Sequence, residues 1–293
     1  MSMQTIQNKE LRVVISPCAA ELNSIQDSSG TEYLWQGDSA YWSKQAVNLF
    51  PYIGRLTDGC YTYKGKRYEM NRHGFLPGTE MLVESSSESS VCFLLRDSHE
   101  TLDIYPFPFE LRISYTLKGY LIEICFDVLN TGADRMYFAI GGHPGFRVPL
   151  EAGLDFDDYY LEFANKCNPI LLGMSETCFI NGEDKDYPLK EDKILPLTHA
   201  LFDNDAIILR NMCRKVTLKS DKGSKGITVA FPDMPYVGFW HTTKSDAPFV
   251  CIEPWTSLQS RDGIVEDLAT QPSLISLEPG VHYCNFWSIE IHP

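Results

Sequence analysis

Leu111-Arg112-Ile113-Ser114-Tyr115-Thr116-Leu117-Lys118-Gly119-Tyr120-Leu121-Ile122-Glu123-Ile124-Cys125-Phe126-Asp127-Val128 alternates apolar and polar residues on both sides of a Lys-Gly turn. A strand sends successive side chains to opposite faces, so this period of two buries one row of residues and leaves the other wet. The stretch therefore reads as an antiparallel hairpin. Working outward, residues 61–70 repeat the pattern around Lys64-Gly65, and 215–219 face 226–231 across Asp221-Lys222-Gly223-Ser224. Residues 11–15 and 285–292 read as terminal strands. Helical periodicity is scarce, its best candidate being the short stretch 261–268. Many strands, frequent turn signals and little helix imply an all-β chain with sheet packed on sheet, and we expect a large antiparallel β-sandwich in preference to a barrel. No linker or internal repeat divides the chain, so residues 1–293 are expected to form one domain.

A chain of 293 residues with 44% hydrophobic and 22% charged residues can bury a sizeable core. The formal net charge of -14 repels phosphate backbones and anionic lipid, and no run of Lys and Arg offsets it. Neither nucleic acid nor a membrane is expected as a partner. The same charge weighs slightly against an anionic substrate. Nine cysteines, an odd number without a CxxC pair, point to free thiols in a reducing compartment. The N-terminus lacks a basic start followed by an apolar stretch, and no run of 18 apolar residues occurs, so a cytoplasmic location is expected.

Four segments, 48–59, 71–78, 141–146 and 251–256, hold more polar, Gly and Pro residues than plain strands need. In an all-β fold, loops from distant parts of the chain can meet at one end or face of a sheet. In Gly141-Gly142-His143-Pro144-Gly145 the proline restricts His143 to an extended conformation. A turn histidine and a functional one are equally compatible with that pattern. Glu253, between Ile252 and Pro254-Trp255, is a carboxylate whose burial raises its pKa and which is costly unless paired. His73 opens a Gly-containing loop, where a neutral imidazole can donate to or accept from a hydroxyl; a satisfied structural histidine is the plainer reading. Arg55 lies among apolar neighbours and needs acceptors for its forked donors, either a carboxylate or a ligand hydroxyl. Trp240 and Phe239 are candidates for a stacking wall; as strand neighbours they face opposite ways, so one at most meets a ligand. No HxH, HExxH or clustered cysteine spacing suggests a metal.

The pieces NLFPYIGRL (48–56), NRHGF (71–75), GGHPGF (141–146), LFDNDAIIL (201–209) and CIEPWTS (251–257) occur in an order and spacing that resemble the aldose 1-epimerase (galactose mutarotase-like) family, and most of all its LacX-type bacterial branch. The resemblance runs from about residue 10 to the C-terminus. It implies a galactose-mutarotase-like β-sandwich with an open sugar cleft and no metal or other cofactor. By similarity Glu253 matches the general base, His143 the general acid, and His73 and Arg55 substrate-binding positions. The aspartate that holds sugar hydroxyls falls on Asp205 rather than Asp203, and Trp240 is taken as a substrate contact.

The implied reaction interconverts the α and β anomers of a free hexose by ring opening. In it Glu253 takes the C1 hydroxyl proton as carboxylate and His143 protonates the ring oxygen as imidazolium, helped to stay charged by a neighbouring carboxylate. Two rivals share the fold: a sugar-binding or regulatory protein without turnover, and a hexose-6-phosphate mutarotase. Related sugar-phosphate enzymes carry an arginine where this chain has Pro77, which weighs against the second unless Arg72 substitutes. Monomer and homodimer are both open.

Overall fold

The computed structural model describes residues 2–293. The opening hairpin forms as read: Phe109–Lys118 pairs with Leu121–Asn130, with burial alternating along both strands. It lies inside an antiparallel nine-stranded sheet. From one edge the order is Ile194–Pro196, Tyr159–Phe163, Lys215–Ser220, Gly226–Ala230, His282–His292, Leu121–Asn130, Phe109–Lys118, Ser90–Arg96 and Leu82–Ser86. A seven-stranded antiparallel sheet packs on its apolar face. Its order is Lys185–Asp186, Ile170–Leu171, Ile207–Arg210, Tyr236–Trp240, Phe249–Trp255, Gly141–Arg147 and Ala46–Leu49.

Ile113, Phe126, Val229 and Trp287 from the first sheet share one apolar core with Phe146, Val237, Phe239, Val250 and Ile252 from the second. The inner face of the seven-stranded sheet is thereby filled. Its central strands are buried on the other face too: every residue of Phe249–Trp255 is buried, and all but the last of Gly141–Arg147. That second face carries its own apolar groups, with Val47, Ile208 and Trp255 in one cluster and Trp35, Phe249 and Cys251 in another. A sheet buried on both sides does not alternate in sequence. This is why 141–146 and 251–256, with their Gly and Pro content, are central strands and not the loops that composition suggests.

The stretch 261–268 is not helical. Arg261 donates from its backbone N–H and from Nε to Glu266 Oε1, each at 3.0 Å, closing a compact turn that bridges to the 60–63 hairpin. The α-helix lies instead at His99–Ile104, capped by Ser98. All nine cysteines are free. No helix among the described residues is long and apolar enough to cross a membrane.

Candidate active site

Register places the chemistry. Pairing of Gly141 with Trp255 and of Gly145 with Cys251 sets His143 opposite Glu253 on the neighbouring strand. His143 pairs with Val47, Glu253 with Gly238, and Gly238 with Ile208, so five strands contribute one cross-sheet row on the outer face. Residues directly opposite in a ladder point the same way. The row is the floor of an open cavity of about 420 Å³ that also contains Arg55, Arg72, His73, Asp205, Trp240 and Trp255. Two glycines make room for it. A Cβ on Gly238 would lie 2.8 Å from the Trp255 ring, and one on Gly145 would lie 3.0 Å from the Trp42 ring.

His143 Nε2 lies 3.2 Å from Glu253 Oε2, and both residues are buried. Burial disfavours the charged form of each. It raises the Glu253 carboxyl well above its ordinary range and lowers His143 from 6.5 to about 3, outweighing the smaller pull of Asp205 toward the charged imidazole. An imidazolium must donate from both nitrogens, and His143 Nδ1 has no partner among the described residues. Burial thus biases the pair toward a carboxylic acid beside a neutral ring, against the expectation of a resting carboxylate beside an imidazolium.

His73 occupies a left-handed backbone position (φ 65°) followed by Gly74 at φ 80°. A Cβ on Gly74 would lie 2.2 Å from the Phe50 carbonyl oxygen, so this turn accepts glycine only. The Gly54 N–H donates to His73 Nδ1 at 3.1 Å. Nδ1 is thus the acceptor and Nε2 carries the proton. Burial depresses the His73 pKa well below its usual value, so the cavity receives a neutral N–H donor. This closes the choice between donor and acceptor that sequence leaves open.

Arg55 donates from Nη1 to the Thr177 carbonyl at 3.2 Å, and its Nη2 stands 3.8 Å from Asp205 Oδ2. Asp205 lines the cavity and Asp203 does not. Trp240 meets His143 edge to face at 5.8 Å between centroids, while Phe239 is buried beside Phe163 on the inner side. All six expected site residues thus line one cavity. Sequence reading passed over Trp42, Lys44, Cys178 and Gln259, which line it too. Trp42 stacks on His143, yet nothing in the segment around it marks it as more than a surface aromatic.

His143, Cys251 and Glu253 offer ligand atoms within 4.8 Å of one another. A divalent cation needs the thiolate and the carboxylate. Burial pushes Cys251 and Glu253 the other way, toward their protonated forms.

The fold and site together define an antiparallel β-sandwich with an open cleft on one sheet, floored by a buried acid and imidazole. Comparison with known proteins supplies the family. The aldose 1-epimerase family model matches residues 2–267. Protein LacX (plasmid) of Lactococcus lactis subsp. lactis is 37% identical over 285 residues, covering 93% of this chain and 95% of that one. The galactose mutarotase related enzyme from Lactobacillus acidophilus superposes with a TM-score of 0.96 at 33% identity, over 100% of this chain and 98% of the other. A galactose mutarotase-like protein from Lactobacillus casei gives 0.93 at 33% identity, over 99% and 100%. The chain belongs to the aldose 1-epimerase family, in its LacX-type branch, and has the galactose mutarotase-like fold.

Proposed function

We propose that the cavity binds a hexose and interconverts its α and β anomers by acid–base ring opening, with Glu253 and His143 as the proton handlers. The observation that carries this reading is the 3.2 Å contact between two buried, titratable groups on the floor of an open cavity. The pair holds one proton whether written as acid and neutral imidazole or as carboxylate and imidazolium, and such a pair titrates as a unit. Moving the shared proton to His143 yields the reactive form with no exchange with solvent.

Glu253 then takes the proton from the C1 hydroxyl while His143 gives one to the ring oxygen. The C1–ring oxygen bond breaks, the aldehyde turns about C1–C2, and reclosure reverses both transfers. Nothing is oxidised or reduced, so the cycle needs no cofactor. His73 Nε2–H and Arg55 serve the sugar oxygens, Asp205 accepts from hydroxyls, and Trp240 offers a ring face. Each positioned acid or base contributes about 10²–10⁴-fold.

Polarimetry on freshly dissolved α-glucose and α-galactose tests the proposal. Wild type accelerates the approach to equilibrium, and Glu253→Gln loses at least about 10²-fold of that acceleration while still binding sugar. Binding by the wild type without acceleration selects the non-catalytic sugar-binding reading.

One observation favours a second substrate class. Lys44 and Arg72 both line the cavity, and Arg72 acts electrostatically on Glu253, His143 and His73 within it. Even with Glu253 ionised, Asp205 and Glu253 are two carboxylates set against three cations, Lys44, Arg55 and Arg72, in the cavity lining. The local charge is thus positive in a chain of net charge -14, which reverses the weight that overall charge puts against a hexose 6-phosphate. Measuring kcat/KM for glucose against glucose 6-phosphate, in wild type and Arg72→Ala, separates the two: a phosphate preference lost in the variant selects the sugar phosphate.

A further inference from the structure

The wall of the cavity around Asp205 is assembled by the turn at 175–179, which the chemistry above does not use. Three of its polar groups reach three different cavity residues. The Thr177 carbonyl accepts from Arg55 Nη1 at 3.2 Å, the Cys178 carbonyl accepts from Gln259 Nε2 at 3.2 Å, and the Cys178 thiol donates to Asp205 Oδ2 at 2.9 Å. The turn is itself closed by the Cys178 N–H donating to the Ser175 carbonyl at 2.9 Å. Asp205 sits at φ 77° and Cys178 at φ 64°, left-handed positions that cost a residue with a Cβ and persist where surrounding contacts hold them.

Asp205 accepts on Oδ1 from the Ala206 N–H at 2.9 Å, and on Oδ2 the thiol is its side-chain hydrogen bond. Arg55, at 3.8 Å, is too far for one. A thiol is a weak donor. It can orient the carboxylate while leaving each oxygen a lone pair for a ligand hydroxyl.

We propose that Cys178 is a positioning residue: its thiol holds Asp205 in the orientation that grips the sugar hydroxyls, and the turn it belongs to sets Arg55 and Gln259 in the same wall. The grip rests on the hexose reading above; the thiol–carboxylate coupling does not. Gln259 extends the chain of contacts. It packs on Gly54, where a Cβ would meet the Gln259 Cβ at 2.6 Å, and Gly54 is the donor that fixes the His73 tautomer. Both sides of the cavity are thus referenced to one turn.

The test compares sugar affinity by titration calorimetry in Cys178→Ala, Cys178→Ser, Asp205→Ala and Cys178→Ala/Asp205→Ala. We expect Cys178→Ala to weaken binding about tenfold and to raise KM with kcat little changed, the pattern of lost ground-state binding. Cys178→Ser, which keeps a donor, stays within about threefold of wild type. In the Asp205→Ala background Cys178→Ala adds nothing further, since contacting residues are non-additive. A melting temperature lowered by Cys178→Ala with affinity unchanged would mean a purely structural cysteine and overturns the proposal.

Alkylation of Cys178 by iodoacetamide, followed by peptide mapping, is independent of any sugar. Burial and the Asp205 carboxylate hold the thiol up at about 11. Asp205→Asn removes the charge and speeds alkylation by about tenfold at one pH, through a larger thiolate fraction. Equal rates overturn the coupling. If the wild type binds no sugar, the hexose reading fails and these rates alone decide the coupling.

Discussion

The indole of Trp42 lies on the imidazole of His143, ring centroids 4.8 Å apart and planes 26° from parallel. With Trp240 and His73 meeting the same ring edge to face, His143 is enclosed on three sides and faces Glu253 on the fourth. This enclosure, and not its place in the GGHPGF motif, makes the imidazole a poor base toward solvent. Trp42→Ala should admit water and bring the His143 pKa up from about 3 toward its unperturbed 6.5. Imidazole NMR titration reads the change directly. The pH profile of kcat/KM should follow: flat through pH 6.5 in wild type, and with a new acid limb near that pH in the variant. An unchanged profile would show that Trp42 does not control the pair.

Two glycines should respond differently to alanine. At Gly74 the new Cβ meets backbone, 2.2 Å from the Phe50 carbonyl oxygen, at φ 80°. Gly74→Ala is expected to cost about 3 kcal/mol or more in urea unfolding. At Gly238 the new Cβ meets the Trp255 ring at 2.8 Å, and a ring beside a cavity can move. Gly238→Ala is expected to cost under about 2 kcal/mol while pushing Trp255 into the cavity and weakening sugar binding.

Buried neutral histidines predict acid sensitivity. His241 is fully buried, its Nδ1–H donates to the Thr242 carbonyl at 2.7 Å, and burial lowers its pKa to about 4. Because the unfolded chain takes up the proton first, the stability this group contributes is complete above its unfolded 6.5 and falls as pH drops from there toward 4. The loss amounts to about 3 kcal/mol. Glu253, raised in the folded state, acts in the opposite sense: its contribution is present below 4.5 and is lost as pH rises through its folded pKa. Urea unfolding between pH 4 and 7 should show stability rising with pH, with a shallower rise in His241→Gln. Equal slopes would remove His241 as the source.

Exhaustive chelation should leave turnover intact, and Cys251→Ala should keep kcat within about threefold, because proton transfer between Glu253 and His143 uses neither a metal nor the Cys251 thiol. Activity abolished by a chelator and restored by a divalent cation would make that cluster a metal site and end the acid–base reading.

Much of the molecule was legible from local pattern. The hairpins at 111–128, 61–70 and 215–231 form where period-two alternation and turn residues put them, because strand burial on one face is written directly into the order of residues. The five motif residues and Trp240 were also nameable, and Asp205 was separated from Asp203 by the residues that follow it. The strands that carry His143 and Glu253 were harder to read. Buried on both faces, they do not alternate, and the glycines that make room for Trp42 and Trp255 mimic loop composition. The false helix at 261–268 failed for a related reason, since Arg261 and Glu266 close a turn that periodicity does not register.

Sequence alone therefore determined the class of the fold and the residue types available for proton transfer, because alternation and motif order are properties of the chain. Tertiary structure decided the burial and hydrogen bonding that bias the protonation of those residues. Whether His143 is charged depends on Trp42, 101 positions earlier, and on Glu253, 110 positions later. Which nitrogen of His73 donates depends on the Gly54 amide, and what holds Asp205 depends on Cys178. Desolvation and hydrogen bonding act through space over a few ångströms, and only the folded sheet brings these groups within that range.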